Sequence, residues 1–236
     1  MAQKSSSLLF NEVLSNKIIQ RKCLGIAKNY FTNAMKTNPQ QVQFPQYPYI
    51  FSKTLSSLLP KGQSFRIPKL CNNGQVFHEI ELGVMLKRGG RHHAKMSDWK
   101  EDIGGYFLLI DYTDFDEAKK AMINGLPYFK GKAQDGFLYL SDLIPVEAID
   151  DPHQVELELK INDQVKQKDI TGNMHFKIHE QLEYITRYMT LEAGDILMTG
   201  TPEGLGPVSE GDKLDATLTY KGKVLASISD VIQKER

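Results

Sequence analysis

The chain has 236 residues, with 29 Lys plus Arg against 29 Asp plus Glu and 41% hydrophobic residues, which is long and apolar enough for one substantial core. A formal net charge of zero, without any long run of like charge, excludes a sustained nucleic-acid or anionic-membrane footprint. No apolar stretch approaches the ~18 residues of a membrane span, and the two cysteines, Cys23 and Cys71, fit buried thiols in a reducing compartment better than a stapled secreted scaffold.

Residues 1–21 read as an N-terminal extension and 22–236 as the main domain. Met1 to Ser7 lacks a secretory h-region. Its serines and Lys4 match a mitochondrial presequence in part, although Glu12 comes early and Arg21 is the first arginine. Leu8, Leu9, Val13, Leu14 and Ile18 fall at amphipathic helical spacing. Lys22 to Ala27 reads as a strand, and the polar segment from Lys28 to Gln41 has helical character until Pro39, Pro45 and Pro48 punctuate it. Short runs at 49–51 and 65–67 and longer ones at 76–86 and 104–111 read as strands. The basic, Gly-broken stretch Lys87 to His93 reads as a hairpin turn, and 114–124 as a helix closed by Gly125 and Pro127. Residues 155–161 alternate strictly, the mark of a half-buried strand, and Asn162-Asp163 turns the chain back through Lys168. Ile178, Leu182, Ile185 and Met189 have helical spacing. A strand at 196–198 and a hairpin pairing 216–220 with 224–228 complete the domain. The expected class is α+β, mostly β.

Three carboxylates stand out against these strands. Glu79 and Glu81 share one strand face, roughly 6–7 Å apart, and Asp111 ends the apolar run from Tyr106. Carboxylates aimed at one spot repel unless a cation or proton lies between them. Three of them would form an all-oxygen site suited to Mg²⁺, Ca²⁺ or Mn²⁺; without convergence they are a polar face in water. Thr199 to Pro207 is rich in Gly and Thr after an apolar strand, so its backbone N–H groups and hydroxyls could meet an anion, or it is an ordinary turn. Lys132 lies among aromatics and could neutralise a carboxylate or enolate, or be exposed. His175 and His179 have metal-compatible i, i+4 spacing on a helix, but no third ligand is near them.

Together these segments resemble the fumarylacetoacetate hydrolase family, and within it the acylpyruvase and oxaloacetate-processing branch. The matching stretches include Gly25 to Tyr30, Phe51-Ser52-Lys53, His78 to Val84, Gly104 to Thr113, Gly125 to Tyr128 and Leu191 to Pro202. The resemblance implies a mixed β-roll with short peripheral helices, usually a homodimer. It implies Glu79, Glu81 and Asp111 as Mg²⁺ or Mn²⁺ ligands, Lys132 as the catalytic and substrate-binding lysine, and Gly200 and Thr201 as substrate-binding. It also implies a small 2-oxo acid substrate and, for eukaryotic members, a mitochondrial address.

The chain departs from the family pattern where the hydrolytic branch carries a water-activating His and Glu; here those positions are Asn33 and Lys36, neither a general base at neutral pH. The family's Arg and Gln after the metal Asp align with Phe115 and Ala118. Two expectations follow. One is a metal-dependent 2-oxo acid enzyme, an oxaloacetate tautomerase or decarboxylase or an acylpyruvate hydrolase, with hydrolysis disfavoured by the missing water-activating pair. The other is a pseudoenzyme that keeps the fold as a structural subunit of a larger assembly.

Overall fold

The computed structural model describes residues 22–32, 45–71, 75–89 and 98–236. The helix expected over 8–20, positions Asn33 and Lys36, and the pair His92-His93 lie outside them.

In chain order, the chain enters through β1 (Cys23–Ala27), β2 (Tyr49–Lys53), β3 (Arg66–Ile67) and β4 (Val76–His78). It continues into the long pair β5 (Ile80–Leu86) and β6 (Ile103–Asp111), then β7 (Thr113–Asp114), α1 (Phe115–Asn124) and α2 (Phe129–Lys132). After β8 (Leu138–Leu140) and β9 (Ile144–Pro145) come the hairpin β10 (Val155–Ile161) and β11 (Gln164–Ile170) and helix α3 (Ile178–Thr186). Last are β12 (Ile196–Met198), β13 (Gly206–Pro207), β14 (Lys213–Tyr220), β15 (Lys223–Val231) and β16 (Gln233–Lys234).

The main sheet runs β2-β1-β12-β5-β6-β8, with β9 also on β6, and is antiparallel apart from the parallel β1–β12 pair. A second sheet, β11-β10-β14-β15, packs on it. Leu82, Leu108 and Ile110 from the first share one apolar core with Leu157, Leu159, Leu214 and Leu218 from the second. The alternation of 155–161 thus points its apolar residues inward, as a one-side-buried antiparallel strand must. β5 and β6 are buried on both faces, which explains why they read as continuous apolar runs. Phe51, Leu109 and Met198 form a smaller cluster on the far face. There Gly25 has no alternative, because a Cβ on it would run into the Phe51 ring.

The α+β, mostly-β class is thus borne out, with boundary differences. The run 76–86 is two strands broken at Glu79. Helix α1 begins after Asp114, whose Oδ1 accepts the Glu117 N–H at 3.2 Å as an N-cap, and it ends at Gly125 in the left-handed region (φ 63°). Helix α3 stops at Thr186, short of Met189. Both cysteines are free and buried. Among the described residues no helix is long and apolar enough to cross a membrane.

Candidate metal centre and its cavity

The break between β4 and β5 builds the site. Ile80 pairs with Ile110, so Glu79 and Asp111 flank that pair on the opposite face, and the Asp111 N–H donates to the Glu79 carbonyl at 2.9 Å. Glu81, two residues on, joins them. One carboxylate oxygen from each of Glu79, Glu81 and Asp111 lies within 4.8 Å of the others, the one such acidic, His or Cys cluster among the described residues. His175 precedes α3 and packs edge-on to Phe31, whereas His179 lies beside Trp99, so the two do not share a helix face.

Two buried lysines are threaded into the cluster. Lys132, at the end of α2, sets its ammonium 2.9 Å from Glu79 and 2.6 Å from Asp111, above the Phe51 ring. Lys53, at the end of β2, lies 2.7 Å from Asp111 Oδ1 and donates to the carbonyls of Tyr112, at 2.9 Å, and Lys132. Its contact with Asp111 Oδ1 is an ion pair between two buried side chains. Burial works against the Lys132 ammonium, but Asp111 and Glu79 outweigh it and hold its pKa well up. Burial lowers the pKa of Lys53, which has Asp111 to offset the loss and Lys132 to add to it. Burial, then Asp111 and Glu79, push the Glu81 carboxyl well above its usual range. Glu79 is raised by burial and Asp111, with Lys132 opposing. Three carboxylates crowded out of water make a donor set that fits a hard divalent cation.

The 199–202 loop closes one side. Gly200 (φ 100°) donates its N–H to Glu81 Oε2 at 2.7 Å, and a Cβ there would press on Asn29 and the Ile26 carbonyl. It therefore orients a carboxylate of the triad. The Thr201 hydroxyl donates to the Ile80 carbonyl at 2.8 Å and accepts from Gln167 Nε2 at 2.8 Å. Gln167 is fully buried: its amide nitrogen also meets the Pro202 carbonyl at 2.8 Å, and its oxygen accepts the Ile80 N–H at 3.1 Å and pairs with His78 Nδ1 at 3.0 Å. A backbone donor on one side and a backbone acceptor on the other fix the amide's orientation. The single Thr201 proton is thereby committed to Ile80.

Asn29 ties the loop to the other side, donating to Thr199 O at 2.8 Å and Phe176 O at 3.1 Å. Thr113 donates to Glu79 at 2.5 Å. Tyr30 lies buried on the cavity with its hydroxyl unpartnered, and burial, then Glu81, push its pKa well up. These groups open onto a cavity of about 550 Å³ reached by Glu79, Glu81, Lys132 and Thr201 together. Lys53, Gln167 and Asn29 are the participants that local reasoning from sequence passes over. The signal for Lys53 is that it shares a strand face with Phe51.

A paired-sheet roll with an acidic triad at the broken strand defines the class, and the comparisons agree. The sequence pattern of the fumarylacetoacetate (FAA) hydrolase C-terminal family matches residues 22–229. The mitochondrial oxaloacetate tautomerase FAHD1 of Oryza sativa subsp. japonica is 38% identical over 202 residues, 84% of this chain and 85% of that protein. The mitochondrial oxaloacetate tautomerase fahd-1 of Caenorhabditis elegans is 38% identical over 219 residues, 92% and 96% of the two. A fumarylacetoacetate hydrolase family protein from Yersinia pestis CO92 superposes with a TM-score of 0.80 at 32% identity, covering 91% of this chain and 94% of its own. The chain belongs to the fumarylacetoacetate hydrolase family.

Proposed function

We propose that the chain is a divalent-metal-dependent enzyme that interconverts the keto and enol forms of small 2-oxo acids, with decarboxylation as a further outcome of the same enolate. The observation that carries this is the convergence of Glu79, Glu81 and Asp111, with Glu79 and Glu81 reaching a cavity shared with Lys132. These three would hold Mg²⁺ or Mn²⁺, which prefer all-oxygen donors. When bound, such an ion supplies Lewis-acid polarisation of a 2-oxo carbonyl. Lys132 would steady the negative charge that builds on the substrate oxygen as a proton leaves C3, an interaction strengthened by burial. Thr201 meets a substrate carboxylate by giving up its bond to Ile80, and Gly200 keeps Glu81 in place meanwhile.

Oxaloacetate, named for the rice and nematode relatives, is the reference substrate. Acylpyruvate hydrolysis ranks below tautomerisation, since Asn33 and Lys36 offer no base to activate water. Both relatives are named mitochondrial, and we assign the same compartment. The exposed apolar side chains of Tyr49, Leu126, Phe129 and Tyr188, which border one groove, suit the homodimer that the family resemblance implies.

The test is enol–keto interconversion of 2-oxo acids, oxaloacetate included, with and without Mg²⁺ or Mn²⁺. Metal-dependent turnover that Glu81→Ala abolishes is the expected result. Rates unaffected by metal and by Glu81→Ala would overturn the proposal.

A further inference from the structure

A neutral hydroxyl reaches the acidic triad, and its bond bears on how the triad is held during turnover; the inference rests on the function proposed above. Thr113 is buried and lines the cavity. Its direction is set by Tyr112, which turns into the core. The Tyr112 ring stacks on Phe65, centroids 3.6 Å apart. Its N–H donates to the Phe137 carbonyl at 2.9 Å, and its carbonyl accepts from Lys53 at 2.9 Å. With residue 112 pinned inward, alternation turns Asp111 and Thr113 together toward the opposite face. Thr113 pairs with Phe77 across β4 and β7, so Glu79 is its diagonal neighbour on that face. The Glu79 side chain spans that diagonal, and the Thr113 hydroxyl donates to its Oε1 at 2.5 Å.

A buried threonine needs an acceptor, and a backbone carbonyl is the ordinary one. Thr171, Thr186 and Thr199, equally buried, donate to the carbonyls of Pro152, Glu183 and Leu82 at 2.7, 2.8 and 2.8 Å. Thr113 instead gives its single proton to a carboxylate, which makes a short, charge-assisted bond. The other partner of Glu79 is Lys132, whose ammonium meets both its oxygens at 2.9 Å. Lys132 is the group assigned above to the charge developing on the substrate, so it cannot also be the fixed support of Glu79. Thr113 can. Its β-branched side chain is stiff at χ1, and its backbone is held in the β4–β7 pair. Being neutral, it also leaves the Glu79 charge available to a cation, where a second ammonium would cancel it.

We infer that Thr113 is a positioning residue of the metal centre: its hydroxyl holds the Glu79 carboxylate in place for the cation, independently of Lys132. The role requires the hydroxyl and not the methyl, which sets the choice of variants.

The experiment titrates Mn²⁺ into the full chain by calorimetry and follows oxaloacetate enol–keto interconversion across Mn²⁺ concentrations. Wild type, Thr113→Val and Thr113→Ser are compared. Thr113→Val should bind Mn²⁺ about 10- to 100-fold more weakly, the usual cost of losing an outer partner of a ligand. Its kcat should recover at saturating Mn²⁺ with KM for oxaloacetate unchanged, a split that a general loss of fold would not give. Thr113→Ser should restore most of the affinity. Should Thr113→Val fail to fold, Thr113→Ala removes the same hydroxyl with less bulk. Undiminished Mn²⁺ affinity in Thr113→Val or Thr113→Ala, or an equal loss in Thr113→Ser, overturns the positioning role. A wild type that binds Mn²⁺ without turning over oxaloacetate overturns the function proposed above, while the affinities still decide the role of Thr113. No Mn²⁺ binding by the wild type overturns both.

Discussion

Glu79, Glu81 and Lys132 line the floor of the cavity and Asp111 and Lys53 are buried against them, each held by a partner or crowded by a like charge. On its wall, Phe115, Ala118 and Met122 stand on one helix face with no charge among them and with Met122 half exposed. The floor is therefore sensitive to any change in charge, because an unpaired buried ion has nowhere to go. The wall, by contrast, tolerates change in stability.

The largest effect is expected at Lys53. Lys53→Met strips Asp111 and two carbonyls of their ammonium, and should cost about 3–5 kcal/mol in urea unfolding; a loss under 1 kcal/mol would mean that the floor is not held by pairing. Next is Glu81→Gln, whose carbonyl can still accept the Gly200 N–H. It should lower metal-dependent turnover by more than about 100-fold, beyond what outer partners usually cost. It should also raise the melting temperature of the metal-free protein, because it removes one of three crowded carboxylates. An unchanged or lower melting temperature would deny that the carboxylates repel.

Gln167→Ala leaves the Ile80 N–H and Pro202 carbonyl without their partner and should cost about 1–3 kcal/mol. It should also raise KM more than it lowers kcat, since it loosens Thr201. Unaltered KM would remove Gln167 from any positioning role. Smaller still is a pH effect. Burial holds His78 and His153 below the usual imidazole range, with Gln167 and Asp151 respectively opposing it. Neutral imidazoles in the folded state stabilise fully above about pH 6.5, and that stability is lost as pH falls through their lowered values. Urea midpoints at pH 7.5 and pH 5 should differ in that sense, and His153→Gln should reduce the difference; an identical dependence in the variant would contradict it. Met122→Ala, on the half-exposed wall, should change stability by no more than about 0.5 kcal/mol, and a cost like that of Lys53→Met would erase the contrast.

Much of the roll was legible because its signals are local. The alternation of 155–161, the Asn162-Asp163 turn with both residues at positive φ, and the uninterrupted apolar character of β6 each follow from a strand's own surroundings. The acidic triad was visible as charges set in apolar strands. Lys53 was not, because its alternation with Phe51 only becomes informative once Asp111 is known to lie opposite. Gln167 escaped for a sharper reason: the β10–β11 register shifts between Leu159 and Lys160, so the face it presents cannot be counted from the turn. The burial of Lys132 came from the packing of α2 against β2 and β7, a long-range fact without a local trace. The i, i+4 spacing of His175 and His179 gives no shared helix face because the helix starts only at Ile178.

The most direct measurement is a calorimetric titration of Mn²⁺ into the wild-type chain and Glu81→Gln. One ion per chain, bound by the wild type and lost in the variant, is the predicted result. No saturable binding by the wild type, or undiminished binding by Glu81→Gln, would contradict the assignment of the triad as the metal centre.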